Sequence, residues 1–180
     1  MGRLSIIHRT VSTGVRSMLV KVTLARLLIR EMADSQFVTL QEENGDRLFP
    51  IAIGLPEAFA IERRLRKAAV PRPQTHDLLE NTISLLGGEL VQIVIHTLEE
   101  GTFFAKIVVR QDEDLIEIDA RPSDAIALGA AAGIPIFVEE SVLEEASSEP
   151  ISGNQPPEHP GWMPDFGEEE RDDDSEQEFG

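Results

Sequence analysis

The chain has 180 residues, no cysteine and a formal net charge of −17 at pH 7. The lack of cysteine excludes disulfide bonds, thiolate zinc sites and cysteine nucleophiles, and it is compatible with the reducing cytoplasm, where we expect the protein. No apolar run approaches the ~20 residues that a membrane helix needs, so we expect no membrane partner. A chain of this length predicts one domain with appendages.

The negative charge is concentrated at the C-terminal end. Residues 147–180 contain eleven acidic residues and one arginine, and they are rich in proline and glycine. Such a segment buries too little apolar surface to offset the entropy lost on ordering, so we predict a disordered acidic tail. Residues 1–17 contain three arginines and no acid, and we predict a flexible leader rather than a targeting peptide. The predicted domain is residues 18–146.

The domain begins with a predicted β-meander. Runs of β-branched and alternating apolar residues, LVKVTLARLLI, FVTLQE and RLFPIAI, are typical of strands, and Asn44-Gly45 predicts a tight hairpin turn with positive φ angles. The apolar spacing in LPEAFAIERRLRKAA then changes to that of a helix, with Pro56 at its start. That helix is expected to bury one face, which consists of Leu55, Ala58, Phe59, Ile61 and Leu65.

The rest of the domain continues with helices and strands. HDLLENTISLL predicts a helix with Thr75 as its N-cap and Gly87-Gly88 at its C-terminal end. ELVQIVIHTL, TFFAKIVVR and LIEIDA predict three antiparallel strands. SDAIALGAAAG then predicts a helix that ends at Gly133, IPIFV a buried strand and EESVLEEA a last helix. The predicted order is βββααβββαβα.

A weak internal repeat relates two parts of the predicted domain. IAIGLPEAFAI and IEIDARPSDAIAL both have the pattern of a strand, a proline, an acid, an alanine and an apolar helix. Two related halves can form one sheet. We therefore predict an α+β fold with a curved, mostly antiparallel half-barrel sheet and helices packed outside it.

Four polar residues lie where the sixth predicted strand meets the third helix: Asp119, Arg121, Ser123 and Asp124. Free N–H groups and the helix dipole favour anions at such a junction. In a structural interpretation, Ser123 or Asp124 satisfies the first turn of the helix and Arg121 neutralises a carboxylate. In a functional interpretation, Asp119 and Asp124 hold magnesium or manganese for catalysis. Arg121 and Ser123 would then bind a phosphate of the substrate.

A second polar group, Thr75, His76 and Asp77, opens the predicted second helix. Histidine has an ordinary pKa of about 6.5 and can act as a general base near neutral pH. His76 and Asp77 are therefore candidates for catalysis, and Thr75 is a candidate for substrate binding. The structural alternative is that Thr75 and Asp77 cap the helix while His76 makes a local hydrogen bond.

A basic run, ERRLRKAAVPRP, lies in the first predicted helix and the connection that follows it. Such a run usually forms a solvated helix face. Arg63, Arg66 and Lys67 nevertheless share one side of the helix and, together with Arg72, form a candidate substrate-binding surface, here called the basic strip. Because the remaining charge of the domain is negative, nucleic-acid binding is expected to be local and sensitive to salt.

Several segments, taken together, resemble a known family. FPIAIGLPEAFAIE, PRPQTHDLLENTISLLGGELVQIVI, GTFFAKIVV and IDARPSDAIALGAAAGIPIFVEESVLEEA are similar to the bifunctional nuclease domain, in the same order and over roughly residues 19–146. The resemblance implies an α+β domain with a curved, largely antiparallel sheet, and an ability of some members to degrade both DNA and RNA. It brings no agreed set of catalytic residues. Pro56 before Glu57 and the basic ERRLRK depart from the usual pattern of the family.

Two functions are compatible with these patterns. The first is a metal-dependent nuclease of low sequence specificity that acts on DNA and RNA. In it, two carboxylates hold the metal, His76 or Asp77 activates water, and Arg121 and the basic strip position the phosphodiester. The second is a binding or regulatory module without turnover, in which the same motifs are helix caps. A homo-oligomer is compatible with either function.

Overall fold

In the part of the chain that the structure describes, seven strands and four helices follow one another in the predicted order, βββααβββαβα. The computed structural model describes residues 18–30, 33 and 35–148, so the predicted leader and most of the predicted tail lie outside the described residues. The strands are β1 (Leu19–Leu28), β2 (Gln36–Glu42), β3 (Leu48–Ile53), β4 (Gly88–Glu99), β5 (Thr102–Gln111), β6 (Asp114–Ala120) and β7 (Ile136–Glu139). The helices are α1 (Leu55–Leu65), α2 (Thr75–Leu85), α3 (Pro122–Ala132) and α4 (Glu140–Ser148).

The strands form one open, mixed sheet with the order β3-β2-β1-β7-β4-β5-β6. Neighbouring strands are antiparallel except β4 and β7, which run parallel. The sheet is curved, since α4 contacts both β3 and β4 although three strands lie between them. The predicted α+β class and the curved, mostly antiparallel sheet are confirmed. In the described part of the chain, no helix has both the length and the apolar character that crossing a membrane requires.

Two similar halves meet at β7. The strands β1-β2-β3 and β4-β5-β6 each form an antiparallel meander, and a helix follows each meander, α1 in the first half and α3 in the second. The last strand of each meander is an edge of the sheet, and α1 packs against α3. This arrangement agrees with the two related halves expected from the internal repeat. It also brings the N-terminal turns of α1 and α3 together.

The core lies between one face of the sheet and the helices α1, α3 and α4. The helix α3 is the most apolar of them, and residues 125–128 are fully buried because β4, β5, α1 and α2 surround it. Burying a leucine or isoleucine contributes roughly 1.5–3 kcal/mol relative to leaving it in water. Strand residues that face this core include Val38, Leu40, Phe49, Ile51, Ile93, Ile95, Ile107 and Val138.

The connection between β2 and β3 is not the predicted tight turn. Residues 43–47 join the two strands, and neither residue of the Asn-Gly pair has a positive φ angle. The side chain of Arg47 holds this longer loop, because its guanidinium donates to Glu42 and to Glu140 at the start of α4. The tertiary contact therefore overrides the local preference for a two-residue turn.

The inward face of α1 also differs from the predicted one. Ala58, Ile61 and Arg64 are buried, whereas Phe59 and Leu65 are 43% and 40% exposed. The guanidinium of Arg64 has hydrogen-bond acceptors on α2 and α3, so the helix can turn a charged residue inward. The aromatic ring of Phe59 consequently faces out of the core.

Gly88→Ala tests how closely α2 and the start of β4 approach β5. A Cβ atom at this position would lie 2.8 Å from Val109 Cγ1 and 3.1 Å from the Ile83 carbonyl oxygen, so these neighbours have to move. We expect a loss of about 1–3 kcal/mol in the free energy of unfolding, measured by urea denaturation. Gly101→Asn is the control, because its position is open and asparagine tolerates the left-handed conformation there. A loss no larger than that of the control would contradict the packing described.

Candidate active site

The N-terminal turns of three helices meet in one place. Each turn contains an acidic residue: Glu57 in α1, Asp77 in α2 and Asp124 in α3. Free N–H groups and a partial positive charge at helix N-termini stabilise carboxylates. Two side chains connect the α1 and α2 turns to α3: Arg121, the N-cap of α3, and His76 of α2.

Arg121 joins α3 to α1. Its Nε and Nη2 donate to the two carboxylate oxygens of Asp124 over 2.7 and 3.1 Å, and its Nη1 donates to Glu57 Oε1 over 2.8 Å. The hydrogen bond with Asp124 is the main cause of the raised pKa of Arg121. The side chain is 61% exposed, so a ligand that arrives from solvent can reach it.

His76 joins α2 to α3. Its Nε2 lies 3.1 Å from Asp124 Oδ1, although the two residues are 48 positions apart. Burial alone would raise the pKa of Asp124, but hydrogen bonds from Arg121 and His76 outweigh it and hold this pKa below its ordinary value. Asp124 is therefore ionised at neutral pH and acts as an acceptor, which requires a proton on His76 Nε2. In neutral His76 the other nitrogen, Nδ1, is then unprotonated, as a general base must be.

A second polar cluster surrounds the buried Arg64, which is 4% exposed. Its Nε donates to the Ala127 carbonyl oxygen over 2.6 Å, its Nη1 to Asp77 Oδ1 over 2.5 Å, and its Nη2 to Glu80. Arg64 thereby ties α1 to both α2 and α3. In the sequence it is one member of the basic run, which is typical of a solvated face. The signal that points to it is its spacing of three residues from the buried Ile61.

Asp77 is fully engaged in this second cluster. Besides Arg64, its donors are Arg63 Nη2 over 3.0 Å and the backbone N–H of Gln74 over 2.9 Å. Burial alone would raise the pKa of Asp77, but Arg63 and the Gln74 N–H outweigh it and lower this pKa. Gln74, rather than the predicted Thr75, is the N-cap of α2, and Thr75 is exposed. The structure therefore places Asp77 as a cap and an interhelical ion-pair partner.

The residues of the basic strip differ in their exposure to solvent. Arg63 is largely buried and turns toward Asp77. Arg66, in contrast, is 74% exposed, and Lys67 and Arg72 are also exposed. The structure thus leaves three of the four basic residues of the strip available to solvent.

Asp119 and Asp124 lie on different sides of the junction between β6 and α3. Asp119 of β6 lies opposite Lys106 of β5 in the register of the sheet. The neighbouring Ala105 faces the core, so Asp119 and Lys106 are on the other face of the sheet. Asp124 contacts α2, which packs on the core side. The structure therefore does not bring the two carboxylates together. Ser123 is buried in the first turn of α3.

Comparisons with known proteins decide the family. Residues 38–150 match the family model of the bifunctional nuclease domain. The chain belongs to this family. An uncharacterized protein of Mycobacterium tuberculosis is 39% identical over 126 residues, which cover 70% of this chain and 75% of that protein. Bifunctional nuclease 1 of Oryza sativa subsp. japonica is 23% identical over 120 residues, which cover 64% of this chain and 36% of that protein.

The predicted metal site does not fit the side chains of this bifunctional nuclease domain. Within residues 18–30, 33 and 35–148, no group of three or more histidine, aspartate or glutamate side chains is arranged to hold a metal ion. Both carboxylate oxygens of Asp124 already accept hydrogen bonds from Arg121 or His76, and Asp119 lies on another face. We therefore derive no catalytic step through magnesium or manganese.

Arg64→Met should destabilise this bifunctional nuclease domain. The change removes the side-chain donor to the Ala127 carbonyl oxygen and the positive charge between α1 and α2. Removing one partner of a buried ion pair typically costs several kcal/mol, so we expect a loss of about 3 kcal/mol in the free energy of unfolding. Arg66→Met is the matched control, because Arg66 is exposed and its pairing with Glu62 should contribute little. Equal stability of the two variants would contradict the role assigned to Arg64.

The domain should become less stable in acid, because protonation of Asp77 removes its ion pairs. Its pKa is lower in the folded chain, and the unfolded value is about 3.9. Such a carboxylate stabilises the fold above the unfolded pKa, and this contribution is lost as the pH falls through the folded pKa. The difference in free energy of unfolding between wild type and Asp77→Asn should therefore be present at pH 7 and shrink below about pH 4. Urea denaturation across this range measures it, and a difference that stays constant would count against the ion pairs.

Proposed function

We propose that this domain is a nuclease that hydrolyses phosphodiester bonds of DNA and RNA with low sequence specificity. Membership of the bifunctional nuclease family and the name of the rice relative support the reaction class. The observation that carries the assignment of residues is the hydrogen bond between His76 and Asp124 where three helix N-termini meet. These two side chains form a base and the group that orients it.

His76 is the general base of the proposed reaction. Asp124 holds the ring through Nε2, so Nδ1 takes a proton from the attacking water as the water oxygen bonds to phosphorus. The bond from phosphorus to the leaving oxygen breaks in this displacement, and the leaving oxygen keeps the electron pair and takes a proton from solvent. The ionised Asp124 stabilises the imidazolium that forms, which is the role of the carboxylate in other acid–histidine pairs.

Negative charge that develops on the phosphoryl oxygens needs hydrogen-bond donors. Arg121 is exposed, and its Nη1 donates to the carboxylate of Glu57. A phosphate oxygen, which is also negatively charged, can replace this carboxylate as the acceptor. The free N–H groups at the N-termini of α1 and α3 provide further donors with a favourable dipole. The proposal gives Asp77 a structural role instead of the role of a second base, because Arg63, Arg64 and the Gln74 N–H donate to its carboxylate.

A binding or regulatory module without turnover is the second candidate. The observation that favours it is the saturation of the site by internal ion pairs, since Arg121 donates to both Asp124 and Glu57. Caps and ion pairs of this kind stabilise the fold without any chemistry. Stability distinguishes the two functions, because removal of a cap lowers the free energy of unfolding, whereas removal of a catalytic group often leaves it unchanged or raised.

His76→Gln should abolish most of the cleavage while the fold is kept. Glutamine can still donate to Asp124, but it cannot accept a proton at neutral pH. General-base catalysis contributes roughly 10²–10⁴-fold, so we expect the cleavage rate to fall at least about a hundredfold. The measurement uses highly purified protein, single- and double-stranded DNA and RNA, and buffers with magnesium, manganese or EDTA, which also test the predicted metal dependence.

His96→Gln is the matched control for this experiment. His96 lies on β4 and contacts its neighbour Thr97, away from the three helix N-termini, so cleavage and melting temperature should stay at the wild-type level. Equal cleavage by His76→Gln and wild type would reject the assigned base. Loss of cleavage in Asp119→Asn instead would locate the chemistry on the other side of the β6–α3 junction.

A further inference from the structure

We propose that a groove beside α1 binds an unpaired nucleobase and the adjoining phosphate of a single-stranded substrate. The groove has a volume of about 400 Å³, and its lining includes Pro56, Phe59, Arg63, Arg66 and Gln74. Its volume lies within the range of roughly 300–1,000 Å³ that is typical of small-ligand sites. This inference rests on the proposed nuclease function and adds a preference for single strands over duplexes.

Phe59 is a large aromatic residue that the core leaves partly exposed. It is 43% exposed, because α1 turns Ala58, Ile61 and Arg64 inward instead. An exposed aromatic ring in a groove is a stacking platform for bases of any sequence, since every base has a π-face. In a duplex, neighbouring base pairs cover those faces. The ring therefore selects bases that are unpaired and unstacked.

Two arginines supply positive charge beside the ring. Arg63 and Arg66 follow Phe59 at spacings of four and seven residues, which places the three side chains on one side of α1. Arg66 pairs with Glu62, but the arginine is 74% exposed, and a phosphate can displace such a weak partner. In the described part of the chain, the one buried side-chain polar atom without a hydrogen-bond partner is Arg63 Nε. A ligand oxygen can satisfy this donor when the side chain turns toward the groove.

The groove and the candidate active site share the N-terminal ends of α1 and α2. Pro56 lies in the first turn of α1, beside the carboxylate that accepts a hydrogen bond from Arg121. Gln74 is the N-cap of α2, two residues before His76. In the proposal, a strand whose base stacks on Phe59 runs past Pro56 and Gln74 toward the N-terminal turns that hold the proposed base. The groove would position the strand, and the helix N-termini would carry out the chemistry.

Phe59→Leu tests the stacking platform, because it removes the ring and keeps an apolar side chain. Fluorescence anisotropy with a labelled oligothymidylate and with a DNA duplex of the same length measures affinity. EDTA and the His76→Gln background prevent cleavage during the measurement. We expect Phe59→Leu to weaken single-strand binding roughly tenfold and to leave duplex binding unchanged. Phe59→Tyr keeps the ring and should bind like the parent protein.

Phe104→Leu is the matched control. It makes the same change at a phenylalanine of β5 that is 37% exposed, and both affinities should stay unchanged. For the single strand, log affinity falls as log salt concentration rises, and Arg66→Gln should make this slope shallower by roughly 0.7. This is the value for one lost phosphate contact. Unchanged slopes would remove Arg66 from the proposed contact.

Single-strand affinity of Phe59→Leu equal to that of the parent protein would overturn this inference, and so would a parent protein that binds no oligothymidylate. The nuclease function is decided by a separate result, the cleavage activity of the protein with His76 intact. Cleavage together with unchanged Phe59→Leu affinity would reject the groove alone. No cleavage, with the expected loss of affinity in Phe59→Leu, would reject the nuclease and keep a single-strand binding site.

Discussion

One buried guanidinium holds together the three helices of the candidate site. From within α1, Arg64 donates to Ala127 of α3 and to Asp77 and Glu80 of α2. A charge so far removed from water is tolerated only where acceptors meet its N–H groups, so these contacts fix how α1, α2 and α3 sit relative to one another. The approach of His76 in α2 to the first turn of α3 depends on that geometry. A structural ion pair and a candidate catalytic pair therefore lie side by side.

The order of the elements and the family were predictable because both depend on local patterns. Alternating apolar residues predicted the strands, and Gly133 marked the end of α3, where the structure has a left-handed glycine. The rotation of α1 was not predictable in the same way. Apolar spacing assigned Phe59 and Leu65 to the core and left Arg64 in solvent, since the acceptors that draw Arg64 inward come from other helices. The same rotation exposes the ring of Phe59 in the groove proposed to bind a base.

The candidate site shows the same division between local and tertiary information. The residue types and the helix starts were recognisable in the sequence, but the contact of His76 with Asp124 joins positions that no local pattern relates. Asp119 and Asp124 are close in sequence, yet strand pairing directs the first to one face and the helix start directs the second to another. At the helix N-termini, carboxylates and cations nearly balance. Attraction for a polyanion therefore has to come from the exposed arginines beyond them, which agrees with the expected sensitivity to salt.

In the proposed site, Asp124 fixes His76 with its proton on Nε2, which leaves Nδ1 able to accept a proton. Long-range ¹H–¹⁵N correlation NMR of the imidazole rings measures this directly. The chain has four histidines, and the signals that disappear in His76→Gln identify this ring. We predict the Nε2-protonated tautomer for neutral His76 in the wild type, and loss of that preference in Asp124→Ala. A proton on Nδ1 of neutral His76 in the wild type would rule out this arrangement of the two side chains.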